Sequence, residues 1–217
     1  MSKIKKQYFL PVLAAVFFFL TVFCWKLQEH RPVRPENTAY LSEEYIEGKY
    51  LDSDAFSDVK CFPLAKTTEE EPFAFEDSFG GARTYGGNRT HEGCDIMIQD
   101  NIRGSIPVVS VCDGTVTNLG WLELGGYRIG VTSDHEVYYY YAHLYRYDEM
   151  ISEGDRVKAG QILGYAGDSG YGPEGTTGQF AVHLHFGIYQ KNAEGEDVAL
   201  NPYPLLKNLT NKILKYF

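Results

Sequence analysis

The sequence predicts an all-β domain that follows a membrane segment and a polar linker. From about residue 72 onward, short apolar runs alternate with glycine-containing turns at roughly ten-residue spacing, which is typical of an antiparallel sheet, sandwich or barrel. The chain also contains 17 Tyr, 13 Phe and 22 Gly, a mixture that favours strands and tight turns over helices. The one competing helical segment is a final helix predicted over residues 205–217.

Residues 8–25 form an uninterrupted uncharged stretch at the N-terminus. As a helix, this stretch rises about 27 Å, which is enough to cross the hydrocarbon core of a bilayer. Lys3, Lys5 and Lys6 precede it, so we expect residues 1–7 to form a cytoplasmic tail and the rest to be exported. A cleaved signal peptide is the alternative, but the bulky residues at 23–26 offer no small-residue cleavage site. We therefore expect a single-pass anchor in the cell membrane with an extracytoplasmic domain.

The charge distribution narrows the function classes and defines a linker. The net charge is −9, so nucleic-acid binding is not expected, because phosphate recognition needs a basic footprint. Much of the acidic excess lies between Glu36 and Asp77, with 12 acidic and three basic residues. Pro32 and Pro35 favour an extended backbone before it. We interpret residues 26–71 as an acidic spacer and residues 72–217 as the folded domain.

Turn signals divide the domain into predicted strands. Asp113-Gly114, Gly125-Gly126 and Gly154-Asp155 are dipeptides that favour tight turns. The apolar runs between such turns predict strands over residues 106–112, 127–132, 136–143, 161–165 and 182–189.

The strongest chemical signal is a His-x-His motif, His183-Leu184-His185. On a strand, residues two apart project from the same face, so the two imidazoles are expected side by side, with apolar neighbours on the other face. Such a pair suits zinc ligation, or one ligand beside one acid–base group. An isolated His-x-His motif more often lies on a polar strand face that is exposed to solvent.

Two further histidines lie in patterned surroundings. His91 and Asp95 are four residues apart, and Gly93 between them makes a helix improbable. We expect the chain to turn at Gly93 and to enter a strand at Asp95, where a buried carboxylate needs a partner or a metal ion. Strand alternation places His143 on one face with Tyr139 and Tyr141. Each pattern is weak alone, but together they supply three N/O ligands and additional histidines for a hydrolytic zinc site.

Taken in order, His91-x-x-x-Asp95, Tyr141-Ala142-His143-Leu144 and His183-x-His185 resemble the motifs of the lysostaphin/LytM-type zinc metallopeptidases, peptidase family M23. The resemblance covers roughly residues 79–203. It implies an antiparallel β-fold of the lysostaphin-like, duplicated hybrid motif type. It also implies a zinc-dependent endopeptidase that hydrolyses peptide bonds of bacterial peptidoglycan, with peptidoglycan peptides as its partners.

The resemblance also implies roles for individual residues. His91, Asp95 and His185 would bind Zn²⁺. His143 and His183 would orient or deprotonate the attacking water, with the division between them left open. Tyr85 corresponds to a tyrosine that steadies the oxyanion in some family members.

Three alternatives accompany this hypothesis. Cys94 lies between two proposed ligands and could itself bind zinc, although it should point to the opposite strand face. It could also pair with Cys112 in a disulfide. A non-catalytic envelope scaffold or activator of the same fold would also carry an anchor, as in division or sporulation complexes. A metal-binding cupin shares the His-x-His motif, but Tyr189 and Gln190 stand where that family expects Glu.

Overall fold

Strands dominate the part of the chain that this computed structural model describes, residues 54–70 and 72–216. In chain order, the strands of this part are β1 (Phe73–Phe75), β2 (Ala82–Arg83), β3 (Arg89–Thr90), β4 (Cys94–Ile98), β5 (Pro107–Val109), β6 (Gly114–Leu122), β7 (Gly126–Ser133), β8 (Tyr138–Tyr147), β9 (Arg156–Val157), β10 (Ile162–Ala166), β11 (His183–Lys191) and β12 (Asp197–Leu200). The helices are α1 (Asp54–Ser57), α2 (Tyr203–Asn208) and a 3-10 turn, Thr210–Lys212. The predicted β-fold is confirmed.

The predicted anchor, residues 8–25, lies outside the described residues, as does the linker up to residue 53. Within residues 54–70 and 72–216, no helix combines the length and the apolar character that a membrane crossing requires. The anchor therefore stays a prediction.

Ten strands form one sheet in which neighbouring strands run antiparallel. Seven of them follow the order β1-β4-β11-β8-β7-β6-β9, while β10 pairs with β5 and β8, and β12 pairs with β11. Strands β2 and β3 form a separate two-stranded ribbon. Since β11 lies between β4 and β8, the three strands associated with the histidine motifs are neighbours in space.

The main core packs against one face of these central strands. Tyr139 and Tyr141 of β8 and Leu184 and Phe186 of β11 are fully buried in it. Because side chains alternate between the two faces of a strand, the residues between them are directed to the opposite face. Burying each large apolar side chain stabilises the fold by roughly 1.5–3 kcal/mol, and this apolar face therefore fixes which residues remain for the other side.

Part of the predicted linker belongs to the folded unit. Phe62, Leu64 and Ala65 are completely buried, and the Phe62 ring stacks on Phe73 at 5.2 Å between centroids. The Phe62 amide donates to the Lys212 carbonyl at 3.2 Å. The predicted domain start at residue 72 is therefore too late. The acidic average over residues 26–71 concealed a short apolar run that packs in the core.

The C-terminal helix is shorter than the predicted span of residues 205–217. Helix α2 ends at Asn208, and the chain continues through the 3-10 turn to an extended end. There the Leu214 carbonyl accepts a hydrogen bond from the Lys66 amide at 2.8 Å. Pairing with a segment that the sequence analysis assigned to the linker therefore replaces the hydrogen bonds that a longer helix would have made.

Replacing Phe62 with alanine should destabilise the whole domain, because the ring is fully buried and stacked. We expect the free energy of unfolding to fall by about 3–5 kcal/mol, measured by urea unfolding followed by circular dichroism. Glu69→Gln in the same segment is the control, because its ion pair with Lys215 is exposed, and we expect a change within about 1 kcal/mol. Equal stability of the two variants would show that the segment is not part of the domain.

Candidate active site

Strand β11 places two histidines on the face opposite the core. His183 and His185 flank the buried Leu184, as strand alternation predicted. His185 lies directly opposite Asp95 of β4 on one side and Ala142 of β8 on the other. Directly opposed residues of antiparallel strands share a face, so the pairing itself brings Asp95 to His185.

Three donor atoms from separate parts of the chain converge beside this pair. His91 Nε2 lies 3.0 Å from Asp95 Oδ1 and 2.8 Å from His185 Nδ1. His185 Nδ1 lies 3.0 Å from the same carboxylate oxygen. His91, Asp95 and His185 form a cluster able to hold a metal ion within the described residues. The structure thus brings together the three side chains that the sequence proposed as ligands.

Backbone carbonyls hold three of the four histidines of the site in one orientation. The Nδ1 atom of His91 lies 2.7 Å from the Ser78 carbonyl oxygen. The Nδ1 atoms of His143 and His183 each lie 2.8 Å from a carbonyl, those of Ser169 and Ala181. A carbonyl oxygen only accepts, so each Nδ1 carries the proton and each Nε2 keeps its lone pair in the neutral ring.

The protonation states suit metal ligation. Burial lowers the pKa of His185 to about 4, although the Asp95 carboxylate acts in the other direction. Burial alone would raise the pKa of Asp95, but the contacts of its carboxylate with the His185 and His91 rings outweigh it and hold that pKa far below its usual value. At neutral pH, His185 is therefore neutral and Asp95 is ionised, as metal ligands must be.

His143 reaches the site because β8 is irregular at this position. Its φ of 63° is in the left-handed region, which is uncommon for residues other than glycine. The pairing of β7 with β8 shifts register next to it, between Tyr127 and Ile129. This bulge turns the His143 ring to within 4.7 Å of the His183 ring, centroid to centroid. The predicted common face with the core residues Tyr139 and Tyr141 is therefore wrong.

Gly93 permits the close approach of the ligand segments. A Cβ at this position would lie 2.6 Å from the Phe186 carbonyl oxygen and 2.7 Å from the His185 ring. Any larger residue would therefore push the His185 ring out of place. The sequence indicated a bend here but not this contact.

An aromatic wall borders the two non-ligand histidines. The Phe180 ring lies 4.6 Å from His143 and 5.0 Å from His183, and the Tyr171 ring lies 4.8 Å from Phe180, all between centroids. The sequence analysis named neither Phe180 nor Tyr171 as a site residue. Both belong to the loop between β10 and β11, whose glycines indicate a turn-rich rim but not which of its side chains reach the site.

Tyr85 packs on this wall. Its ring stacks on Tyr171 at 4.2 Å, and its hydroxyl donates to the Tyr171 carbonyl at 2.6 Å. The side chain is 41% exposed. The described contacts of Tyr85 place it at the rim of the site, so its predicted role in catalysis stays a prediction.

The described cysteines do not belong to the donor cluster. Cys61, Cys94 and Cys112 are all free and buried, so the disulfide considered between Cys94 and Cys112 is not formed. The Cys94 thiol packs in the core and donates to the Glu76 carbonyl at 3.3 Å. Burial raises the pKa of Cys94 to about 12, which disfavours the thiolate that metal binding requires.

A positive charge on Arg83, which the sequence analysis did not predict, lies beside the donor cluster. Arg83 Nη2 donates to Asp95 Oδ2 at 2.5 Å. Asp95 therefore offers Oδ1 to the histidines and Oδ2 to the arginine. Arg83 belongs to the ribbon β2–β3, which contributes no strand to the main sheet.

Two curated proteins are similar to this chain in sequence. An L-Ala–D-Glu endopeptidase of Bacillus subtilis (strain 168) is 41% identical over 147 residues, which are 68% of this chain and 43% of that protein. Lysostaphin of Staphylococcus simulans is 35% identical over 120 residues, 54% of this chain and 22% of that protein. The chain thus spans less than half the length of these curated relatives.

A solved structure is also similar to this chain, and a family model matches more than half of it. The crystal structure of a Ruminococcus gnavus ATCC 29149 protein, assigned there as a candidate glycyl-glycine endopeptidase LytM, superposes with a TM-score of 0.69 at 51% identity. The match covers 75% of this chain and 64% of that one. Residues 89–202, more than half of the chain, match the family described as Peptidase family M23. The protein therefore belongs to peptidase family M23.

Proposed function

We propose that this protein is a zinc-dependent endopeptidase that hydrolyses peptide bonds of bacterial peptidoglycan. The observation that carries the proposal is the convergence of His91, Asp95 and His185 beside two further oriented histidines. Support also comes from the relatives named above, which are described as an L-Ala–D-Glu endopeptidase and lysostaphin. Membership of a peptidase family agrees with this chemistry.

The donor set fits a zinc ion. Zinc bonds to histidine nitrogen and carboxylate oxygen are about 2.0–2.2 Å long, and catalytic zinc sites use three protein ligands with one open position. His91 Nε2, Asp95 Oδ1 and His185 Nδ1 lie 2.8–3.0 Å apart, so they point at one small common volume. When bound there, zinc would supply a Lewis acid that lowers the pKa of water to near 7 and polarises the substrate carbonyl.

His143 and His183 would move the protons of the reaction. Burial lowers the pKa of both imidazoles, so at neutral pH each ring is in the form that accepts a proton. Their Nδ1 atoms are held by carbonyls, which leaves Nε2 to take a proton from the attacking water and return it to the leaving amine. The same carbonyls would stabilise the positive ring after the proton has been accepted.

The non-catalytic alternative is not favoured by the site. A scaffold or activator of the same fold requires only its surface. This chain instead keeps three converging donors, two histidines whose Nδ1 atoms are held by backbone carbonyls and a glycine that admits the His185 ring. Such an arrangement is what hydrolysis requires.

We also propose that residues 8–25 anchor the protein in the cell membrane and that the domain is extracytoplasmic. The support is the uncharged stretch after three lysines. The proposed substrate, peptidoglycan, is part of the cell wall and agrees with an extracytoplasmic domain.

Substitutions at the two kinds of histidine should separate metal binding from proton transfer. For His185→Ala we expect loss of bound zinc and of activity together, because one of three ligands is removed. For His143→Ala we expect retained zinc and a fall in kcat of about 100-fold or more, typical of a lost acid–base group. Metal analysis of the purified full chain and peptidoglycan digestion are the measurements. Full turnover by His143→Ala would contradict the division of roles.

Membrane fractionation tests the anchor. We expect the full chain to remain in the membrane pellet after an alkaline carbonate wash, because a spanning helix is held by the bilayer core. A chain lacking residues 1–25 serves as control and should appear in the soluble fraction. A mature protein whose N-terminus, by mass spectrometry, follows the apolar stretch would instead identify a cleaved signal peptide.

A further inference from the structure

Two arginines stand opposite each other on the ribbon beside the site. Arg83 of β2 and Arg89 of β3 are direct cross-strand partners, and both are half-buried. Like charges in this arrangement repel each other. The chain as a whole is acidic, with a net charge of −9, so this positive pair is a local exception at the rim of the donor cluster.

The two arginines differ in their partners. Arg83 is paired with the Asp95 carboxylate. Arg89 instead donates to two uncharged oxygens, the Tyr85 carbonyl at 3.3 Å and the Tyr171 hydroxyl at 3.4 Å. Among the described residues, no carboxylate forms an ion pair with Arg89. Its guanidinium is therefore held in place by neutral contacts, and within residues 54–70 and 72–216 its charge has no anionic partner.

These contacts place the Arg89 charge close to the proposed chemistry. Tyr171, which accepts from Arg89, lies 6.1 Å from the His143 ring between centroids, and Arg83 touches a proposed metal ligand. A planar guanidinium binds carboxylates through parallel hydrogen bonds. An anion bound between the two arginines would lie at the rim of the donor cluster and would also relieve the repulsion between them.

We propose that Arg89, supported by Arg83, recognises a carboxylate on the substrate residue that adjoins the scissile bond. The inference rests on the proposed peptidase function and names its substrate class: peptides with a free acid at that residue. A D-glutamyl residue whose amine is released by hydrolysis fits this class, because it keeps one free carboxylate whichever of its acid groups continues the chain. Arg89 is then a specificity-determining residue for the reaction.

The test compares two peptides that differ in one group. L-alanyl-γ-D-glutamyl-L-lysine carries the free acid, and the matching D-isoglutamine peptide carries an uncharged amide there. For the zinc-loaded full chain we expect kcat/KM to be at least tenfold higher on the acid. In Arg89→Gln this acid-to-amide ratio should fall by roughly 10- to 100-fold, the worth of one charged hydrogen-bonded contact. The acid-to-amide ratio of Arg89→Lys should lie between those of the parent chain and Arg89→Gln. Lysine keeps the positive charge but lacks the two parallel donors of the guanidinium.

Arg156→Gln is the matched control, because Arg156 lies on the edge strand β9 and pairs with the exposed Asp134. Its acid-to-amide ratio should equal that of the parent chain. The inference is overturned if the parent chain cleaves both peptides equally, if Arg89→Gln slows both by the same factor, or if the parent chain digests purified peptidoglycan but hydrolyses neither peptide. The peptidase proposal would still stand in each of these cases. Hydrolysis of neither peptide nor of purified peptidoglycan would instead overturn the peptidase proposal, and this inference with it.

Discussion

The alignment of β11 between β4 and β8 is the constraint on which the site depends. It sets His185 opposite Asp95 and Ala142. A slip of β4 by one residue would turn every side chain to the other face, which would bring Cys94 or Ile96 to the histidines and Asp95 into the core. Both neighbours are fully buried, so such a slip would expose them and bury a charge. The packing of the apolar face therefore determines the polar one.

The hydrogen bonds from histidines to backbone carbonyls complete what the strand alignment begins. Strand pairing fixes the backbone position of each histidine. It does not fix the rotation of the ring or which nitrogen carries the proton. The Ser78, Ser169 and Ala181 carbonyls settle both points. Each lies outside the strands of the sheet. A buried imidazole that has one partner for its N–H and a free lone pair opposite is already arranged for its task, so little reorganisation accompanies reaction.

Local patterns in the sequence predicted the strands, the shared face of His183 and His185, and the grouping of His91 with Asp95. Period-two alternation is a property of regular backbone, however, and it failed at His143, where a bulge with positive φ redirects the ring. The aromatic wall and Arg89 were beyond prediction for another reason. The aromatic wall belongs to a loop and Arg89 to the short ribbon β2–β3, and these parts of the chain meet only in the folded structure. The domain start was misplaced because Phe62 and its neighbours were averaged with acidic residues around them.

The donor cluster and the two arginines occupy different parts of the fold and meet at Asp95. The donors stand on the large sheet or directly before it, whose register the core fixes, whereas Arg83 and Arg89 stand on a ribbon outside that sheet. Residues of the ribbon can therefore change without disturbing the strand alignment that aligns the ligands. Asp95 connects the two parts, since Oδ1 faces the histidines and Oδ2 holds Arg83. Because the arginine occupies Oδ2, the carboxylate presents a single oxygen to the cluster. This division suits a three-ligand site in which one position is kept for water.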